Sequence, residues 1–229
     1  MKIREHYPQD SVFSFKPTDN DTVYKEIMNL DDSKSSPLES IPSRVLKDII
    51  DIISPKIVID FNSSIKTGIF PQCLKLSDLC PIFKKDIKLS KGNYRPVSLL
   101  AAISKIFEKL TFYQTREYMK HKLSIFLCAF RKGMNAQNCL VYMIEKWRKA
   151  LDKSNKCGIL LTDLSKAFDC LLHDLLIAKL HAYGFDFPSL RLINNYLTDR
   201  KQRVRVNGSY SNWSNIDFWV PQGSILRPE

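Results

Sequence analysis

No Cys-x-x-Cys pair occurs in the 229 residues, and no histidine stands at the spacing of a zinc ligand. The cysteines, Cys73, Cys80, Cys128, Cys139, Cys157 and Cys170, are scattered, which argues against a structural zinc site and for a reducing compartment. No uninterrupted apolar stretch is long enough to span a membrane, and no charged-then-apolar leader opens the chain at Met1. The expected location is therefore nuclear or cytoplasmic, neither secreted nor membrane-bound. Internal repeats and low-complexity tracts are absent too, which excludes solenoids and polar linkers. What is left is a globular protein whose 44% hydrophobic content suits a packed core.

Charge is what the chain has in excess. Lysine and arginine number 35 against 24 acidic residues, for a net charge of +11. The excess is clustered, in Lys84-Lys85 and in Arg200-Lys201-Gln202-Arg203-Val204-Arg205, and clustering of this kind favours a polyanionic partner over a merely soluble basic surface.

Residues 1–36 are polar and punctuated by Pro8 and Pro17, and are expected to be loose apart from a short helix over Val23 to Met28. From Pro42 the periodicity changes: Val45, Leu46, Ile49, Ile50 and Ile53 fall on one helical face, Pro55 is expected to stop that helix, and a second helix from Ile57 ends at Gly68. Asp78 to Lys85 reads as a strand, and Lys88 to Pro96 as a turn back into Val97-Ser98-Leu99-Leu100. A helix follows from Ile103, and Leu140, Ile144, Trp147 and Leu151 mark another whose apolar side is expected in the core. Gly158-Ile159-Leu160-Leu161 has the composition of a strand buried on both faces, which would put Asp163 at its emerging end, at the carboxyl edge of a sheet. Asp169 is placed to cap a helix carrying Leu172, Leu175, Leu176 and Leu180 and stopped by Gly184. Pro188 opens one more helix. Gln202 to Val206 then alternates, Val204 and Val206 on one face and Arg203 and Arg205 on the other, into an Asn207-Gly208 hairpin turn.

Singly, none of the polar residues is specific: an aspartate after a strand is usually a turn or a cap, and Pro-Gln-Gly is usually a bend. Their order carries more. Lys84-Lys85, Asn93-Tyr-Arg95-Pro-Val-Ser-Leu-Leu100, Ser104-Lys-Ile-Phe-Glu-Lys109, Asp163-Leu-Ser-Lys-Ala-Phe-Asp169 and Val220-Pro-Gln222-Gly223-Ser-Ile-Leu226 together resemble the reverse transcriptases of non-LTR retrotransposons, especially the jockey-like group. The resemblance covers roughly residues 25–229. Phe126 to Asn138 is similar to a further block of that family, with Ala129 where a glycine is usual.

The resemblance implies an α+β fold, the fingers and palm of a right-hand polymerase, with a helical and hairpin fingers region over 37–150 and a partial palm over 151–229. It implies an RNA-directed DNA polymerase that takes an RNA template, a DNA primer and deoxynucleoside triphosphates. Such polymerases transfer a nucleotidyl group with two Mg²⁺ (or Mn²⁺) ions about 3.5–4 Å apart. Asp163 would be the first metal-binding aspartate and catalytic residue, with the Leu164 backbone carbonyl beside it. Lys84 and Arg95 would neutralise the triphosphate, Phe168 would exclude a 2′-hydroxyl, and Gln222 and Gly223 would contact the template base pair. Lys85, Arg131, Arg203 and Arg205 would bind nucleic acid. Apart from the family, Phe168 is as readily a core aromatic, and a helix cap accounts for Asp169.

The family also has an aromatic-x-Asp-Asp hairpin beyond the Pro-Gln-Gly loop, whereas the only Asp-Asp pair here is Asp31-Asp32. Arg227 stands where the family has glycine. The expectation is a fragment truncated before the second catalytic hairpin and the thumb, inactive by itself. An inert basic RNA- or DNA-binding remnant is the alternative, and no oligomeric state is implied.

Overall fold

The computed structural model describes residues 12–37, 40–124, 126–129, 133–162, 172–216 and 223–225. The helices among them are α1 (Asn20–Met28), α2 (Ser43–Asp48), α3 (Ile50–Thr67), α4 (Ala102–Met119), α5 (Ala136–Leu151), α6 (His173–Ala182) and α7 (Phe187–Leu197). The strands are β1 (Leu76–Phe83), β2 (Tyr94–Leu100), β3 (Arg200–Val206), β4 (Ser209–Tyr210) and β5 (Ser214–Ile216). Local chemistry sets several starts. Asp19 accepts the Thr22 amide ahead of α1, Asn135 and Asn138 form a reciprocal capping box on α5, and Asp186 accepts the Ser189 amide where Pro188 opens α7.

This is a mixed α/β architecture. The strands form a sheet in the order β2-β1-β3-β4, with β5 also on β3. β1 and β2 are the expected antiparallel hairpin, in a register that runs from Ser77 opposite Leu100 to Phe83 opposite Tyr94. β1 and β3 are parallel, with Asp78 opposite Arg203. A parallel pair needs a long crossover, and here α4 to α7 lie between the two strands in sequence. The Asn207-Gly208 turn forms as expected, both residues having positive φ as a type I′ turn requires.

The core is mainly helical, joining Val23, Ile27, Ile57, Phe61, Ile106, Phe107, Leu190 and Leu197. Edge-on aromatic contacts tie it together, Phe61 to Phe107 at 5.3 Å, Phe70 to Phe107 at 5.7 Å and Phe70 to Tyr196 at 5.0 Å between ring centroids.

Five expectations are corrected. The amino-terminal segment is docked from residue 12 on: Phe13 and Phe15 are buried, and Phe13 forms a parallel bridge to Phe185, donating to the Gly184 carbonyl and accepting from the Asp186 amide. Two aromatics supply the apolar area that the polar composition around them conceals. Pro55 does not stop a helix; the break falls at Ile49, and Pro55 lies inside α3. Its missing donor would have served the Asp51 carbonyl, in the exposed first turn, where water can take the bond instead.

The apolar stripe of α5 is not core, for the helix buries none of its residues, and Leu140, Ile144 and Leu151 are exposed. Nor do Ile159, Leu160 and Leu161 form a buried strand: Leu160 is 88% and Leu161 84% exposed, and no described strand pairs with them. A doubly buried strand needs hydrogen-bonding neighbours and a layer on each face. Finally, α6 is capped at Leu172 with no side-chain bond, while Asp169 lies outside the described residues.

Phe13→Ala should destabilise the chain by about 3–5 kcal/mol, because it empties a contact among Phe15, Tyr118 and Phe185. Urea unfolding measures this, and a loss below about 1 kcal/mol would mean that the segment is not part of the core.

Candidate nucleic-acid and nucleotide interface

The hairpin β1–β2 carries cations at its tip. Lys84 follows β1 directly, its amide donating to the Asn93 carbonyl at 2.9 Å, so Lys84 faces Asn93 across the ladder. Arg95 is opposite Ile82. Side chains two apart share a face and directly opposed residues share it too, so Lys84 and Arg95 are diagonal neighbours on one side of the hairpin. Both are exposed, as is Lys85. The intervening loop is braced internally: Tyr94 Oη donates to the Lys88 carbonyl, Asn93 Nδ2 to that of Ile87, and Lys88 Nζ lies 5.7 Å from the Phe83 ring.

The parallel pairing of β1 with β3 extends this face. Asp78 opposes Arg203, so Arg203 and Arg205 project on the side that carries Asp78, Ile82, Lys84 and Arg95, and the two strands run toward the same end. The two arginines have different fates. Arg203 Nε donates to Asp78 Oδ1 at 2.8 Å, and its guanidinium carbon lies 4.3 Å from the Tyr210 ring and 4.6 Å from that of Trp213. Asp78 is 1% exposed, a buried carboxylate given its counter-charge across the strand pair. Asp78, Arg203 and Trp213 also line a cavity of about 270 Å³. Arg205 stays half-exposed, with its guanidinium 5.9 Å from Tyr210.

Gly223 approaches β2 from the carboxyl-terminal stretch. Its φ is +117°, and a Cβ built on it would stand 2.6 Å from the Ser98 carbonyl oxygen, so glycine is required both for conformation and for space. The two residues after it are tied to a buried polar cluster. Glu108 on α4 is fully buried and accepts from Tyr196 Oη through Oε1 at 2.8 Å and from the Ile225 amide through Oε2 at 2.9 Å. Burial pushes the Glu108 carboxyl above its ordinary value of 4.5, against hydrogen bonds from Ile225, Tyr196 and Ser224 and the Arg200 charge. Burial and the Glu108 charge push the Tyr196 hydroxyl up as well.

Among the proposed site residues, the structure thus brings Lys84, Arg95 and Arg205 to one sheet face, leaves Lys85 beside them at the tip, and commits Arg203 to Asp78. Asp163, Leu164, Phe168, Gln222 and Arg131 lie outside the described residues. No group of three or more His, Cys, Asp or Glu able to hold a metal occurs among the described residues. Sequence reasoning missed Asp78 and Tyr196, and it quoted Glu108 without giving it a role. For Asp78, an acidic residue inside a mostly apolar strand was the available signal, whereas nothing local marked Glu108 or Tyr196.

The fold and this face define a mixed α/β protein with a cationic sheet surface. Its family follows from comparison. A model described as "Reverse transcriptase (RNA-dependent DNA polymerase)" matches residues 82–228, most of the chain, and the protein belongs to that family of RNA-directed DNA polymerases. It is 28% identical over 224 residues to the probable RNA-directed DNA polymerase from transposon BS of Drosophila melanogaster, a match covering 96% of this chain and 25% of that one. It is 29% identical over 209 residues to the RNA-directed DNA polymerase from mobile element jockey of Drosophila funebris, covering 89% and 23%. A third relative, the probable RNA-directed DNA polymerase from transposon X-element of Drosophila melanogaster, is 31% identical over 180 residues, covering 75% and 19%. The chain spans a quarter or less of the length of these relatives.

Two outcomes test the buried charges. Arg203→Ala should cost about 3 kcal/mol or more and Asp78→Ala less, since the first takes the counter-charge from a buried carboxylate whereas the second leaves a stacked guanidinium nearer solvent; equal costs in denaturant unfolding would refute the assignment. For Glu108 the folded-state pKa is raised, so its contribution is fully present below the ordinary 4.5 and is lost as pH rises toward the folded value. Glu108→Gln should therefore gain stability relative to wild type as pH rises above the ordinary 4.5, measured by unfolding at each pH; a constant difference would show that the carboxyl is not desolvated.

Proposed function

We propose that the chain is the fingers and the first part of the palm of a non-LTR retrotransposon reverse transcriptase, with fingers over 37–150 and palm over 151–229. What carries this reading is that Lys84, Arg95 and Arg205, all within the matched stretch 82–228, share one sheet face. In it, Lys84 and Arg95 bind the triphosphate of the incoming deoxynucleotide, the guanidinium as a planar fork and the ammonium as a point charge. Lys85, Arg131 and Arg205 hold template or primer phosphates. Arg203 is reassigned: its charge serves Asp78, so its part is to orient β3 against β1 rather than to bind a phosphate.

Asp163 and the Leu164 carbonyl are the residues of this stretch that would hold Mg²⁺, and both offer hard oxygen donors of the kind Mg²⁺ takes. Bound divalent metal supplies Lewis-acid stabilisation of the charge that develops on the transferred phosphoryl group. Phe168 selects deoxyribose by occupying the space of a 2′-hydroxyl. Gly223, with Gln222, meets the templating base pair, and its lack of a side chain lets backbone come close to the neighbouring strand and to the substrate.

RNA-templated DNA synthesis by the product of the complete transcript is the test. Synthesis should require Mg²⁺ or Mn²⁺ and vanish in Asp163→Ala, and Arg95→Ala should raise the KM for deoxynucleotides by roughly tenfold or more, the loss of one charge-assisted phosphate bond. Synthesis that survives Asp163→Ala would overturn the reading. The 229-residue chain should also bind an RNA–DNA duplex with an affinity that falls linearly in log salt, and Lys85→Ala with Arg205→Ala should reduce that slope by about two. A flat salt response would remove the nucleic-acid face.

A further inference from the structure

Gly223–Ile225 is held by groups that neither the phosphate-binding set nor the metal-binding set includes. Glu108 uses both carboxylate oxygens, one toward Tyr196 Oη on α7 and one toward the Ile225 amide. Ser224 Oγ lies 3.0 Å from Tyr196 Oη, and Ser224 is itself buried. Behind them Arg200, with no exposed surface, donates from Nη1 to the Tyr196 carbonyl at 3.1 Å and lays its guanidinium carbon 4.7 Å from the Tyr196 ring. A carboxylate placed this deep is stabilised only through its partners, so each of these bonds has more hold on geometry than it would in water. From the other side, Gly223 meets the Ser98 carbonyl of β2. The segment is pinned between a hydrogen bond and a strand.

We infer that Glu108 is a positioning residue of the polymerase site: by accepting the Ile225 amide while Tyr196 fixes its other oxygen, it seats Gly223–Ile225 against β2 and so sets where Gly223 meets the template–primer duplex. This rests on the reading of Gly223 as a template contact. The competing account is that Glu108 only fills space in α4, whose neighbouring residues Ile106, Phe107 and Leu110 are buried. The two accounts part at Glu108→Leu. A space-filling role lets leucine substitute freely, and replacing a buried acid by a hydrophobe can even raise stability. A positioning role makes leucine release the segment however stable the variant is.

The experiment compares wild type, Glu108→Gln, Glu108→Leu and Tyr196→Phe in the 229-residue chain. It reads hydrogen exchange at the Ile225 amide and at β1–β2, thermal stability, and affinity for an RNA–DNA template–primer duplex at fixed salt. Glu108→Gln keeps an acceptor oxygen and should keep Ile225 protected. Glu108→Leu should speed exchange at Ile225 by about tenfold or more without altering β1–β2, because exchange follows local opening, and should weaken duplex binding several-fold with melting unchanged or raised. Tyr196→Phe, which removes the Tyr196 hydroxyl from Glu108 Oε1 and from Ser224 Oγ but leaves the Ile225 amide its acceptor, should move both readouts the same way by less. It stands in for Glu108→Leu if that variant does not fold. Protection retained in Glu108→Leu, protection lost across the whole sheet, or release of Ile225 with unchanged duplex affinity would each overturn the positioning role. A wild-type chain that fails to bind the duplex sinks the functional reading and this role with it, and is told apart by the exchange result, which needs no substrate.

Discussion

A carboxylate without water is the constraint to which the rest of the structure near the interface conforms. Glu108 has no exposed surface, and leaving an acid there unpartnered would cost several kcal/mol, of the order met whenever an unpaired charge is buried. The relief comes from two stretches far from Glu108 in the chain: Tyr196 at the end of α7 with Arg200 at the start of β3, and Ser224 with Ile225 beyond β5. Each relief contact is also a distance constraint. Because α4 leaves β2 after a single residue, fixing Glu108 fixes where the hairpin β1–β2 sits, and because β3 follows α7 closely, fixing Tyr196 fixes where β3 enters the sheet. This polar cluster thereby couples the hairpin, the crossover and the carboxyl-terminal stretch.

The sheet converts that coupling into a surface. β1 is central, antiparallel to β2 on one side and parallel to β3 on the other. Parallel pairing sends the tip of the hairpin and the Asn207-Gly208 turn to the same end, and the register that opposes Asp78 to Arg203 decides which residues of the two strands share a face. A slip by one residue would carry Arg205 to the opposite side of the sheet. The Asp78–Arg203 pair resists such a slip, since a shift by one residue sets Gln202 or Val204 opposite Asp78 in place of Arg203. One ion pair inside the sheet thus fixes the place of cations outside it.

What the sequence made legible was what short-range chemistry specifies. The hairpin from Asp78 to Leu100, the helix from Ile103, the stop at Gly68 and the Asn207-Gly208 turn each depend on residues within a few positions of one another. The order of motifs carried the family for the same reason, being written along the chain. What stayed hidden depends on partners far away. Phe13 looks like part of a polar leader until Phe185 and Tyr118 are beside it. The stripe of α5 and the run Ile159-Leu160-Leu161 have the composition of core, yet composition says only that burial would be favourable, not that a neighbour is there to provide it. Glu108 was visible as one letter of a motif, and nothing local distinguishes a helix-surface glutamate from one whose carboxylate ends among Tyr196 and Ile225.

The alternation Arg203-Val204-Arg205-Val206 shows how far the same pattern can diverge in use. Periodicity puts the two arginines on one face and assigns them one role. Arg203 lies level with Asp78 and between Tyr210 and Trp213, so its charge is neutralised and its plane is stacked, while Arg205 lies one step nearer the end of the sheet, where the described partner is Tyr210 alone. The difference is set by the residue on the neighbouring strand, 125 positions earlier in sequence for the Asp78 contact. A guanidinium already satisfied by a buried carboxylate would lose that bond to reach a phosphate, whereas one at the rim gives up mainly water. Charge available to nucleic acid on this face is therefore smaller than the count of basic residues in the strand, and it is concentrated toward the tip where Lys84 and Arg95 stand.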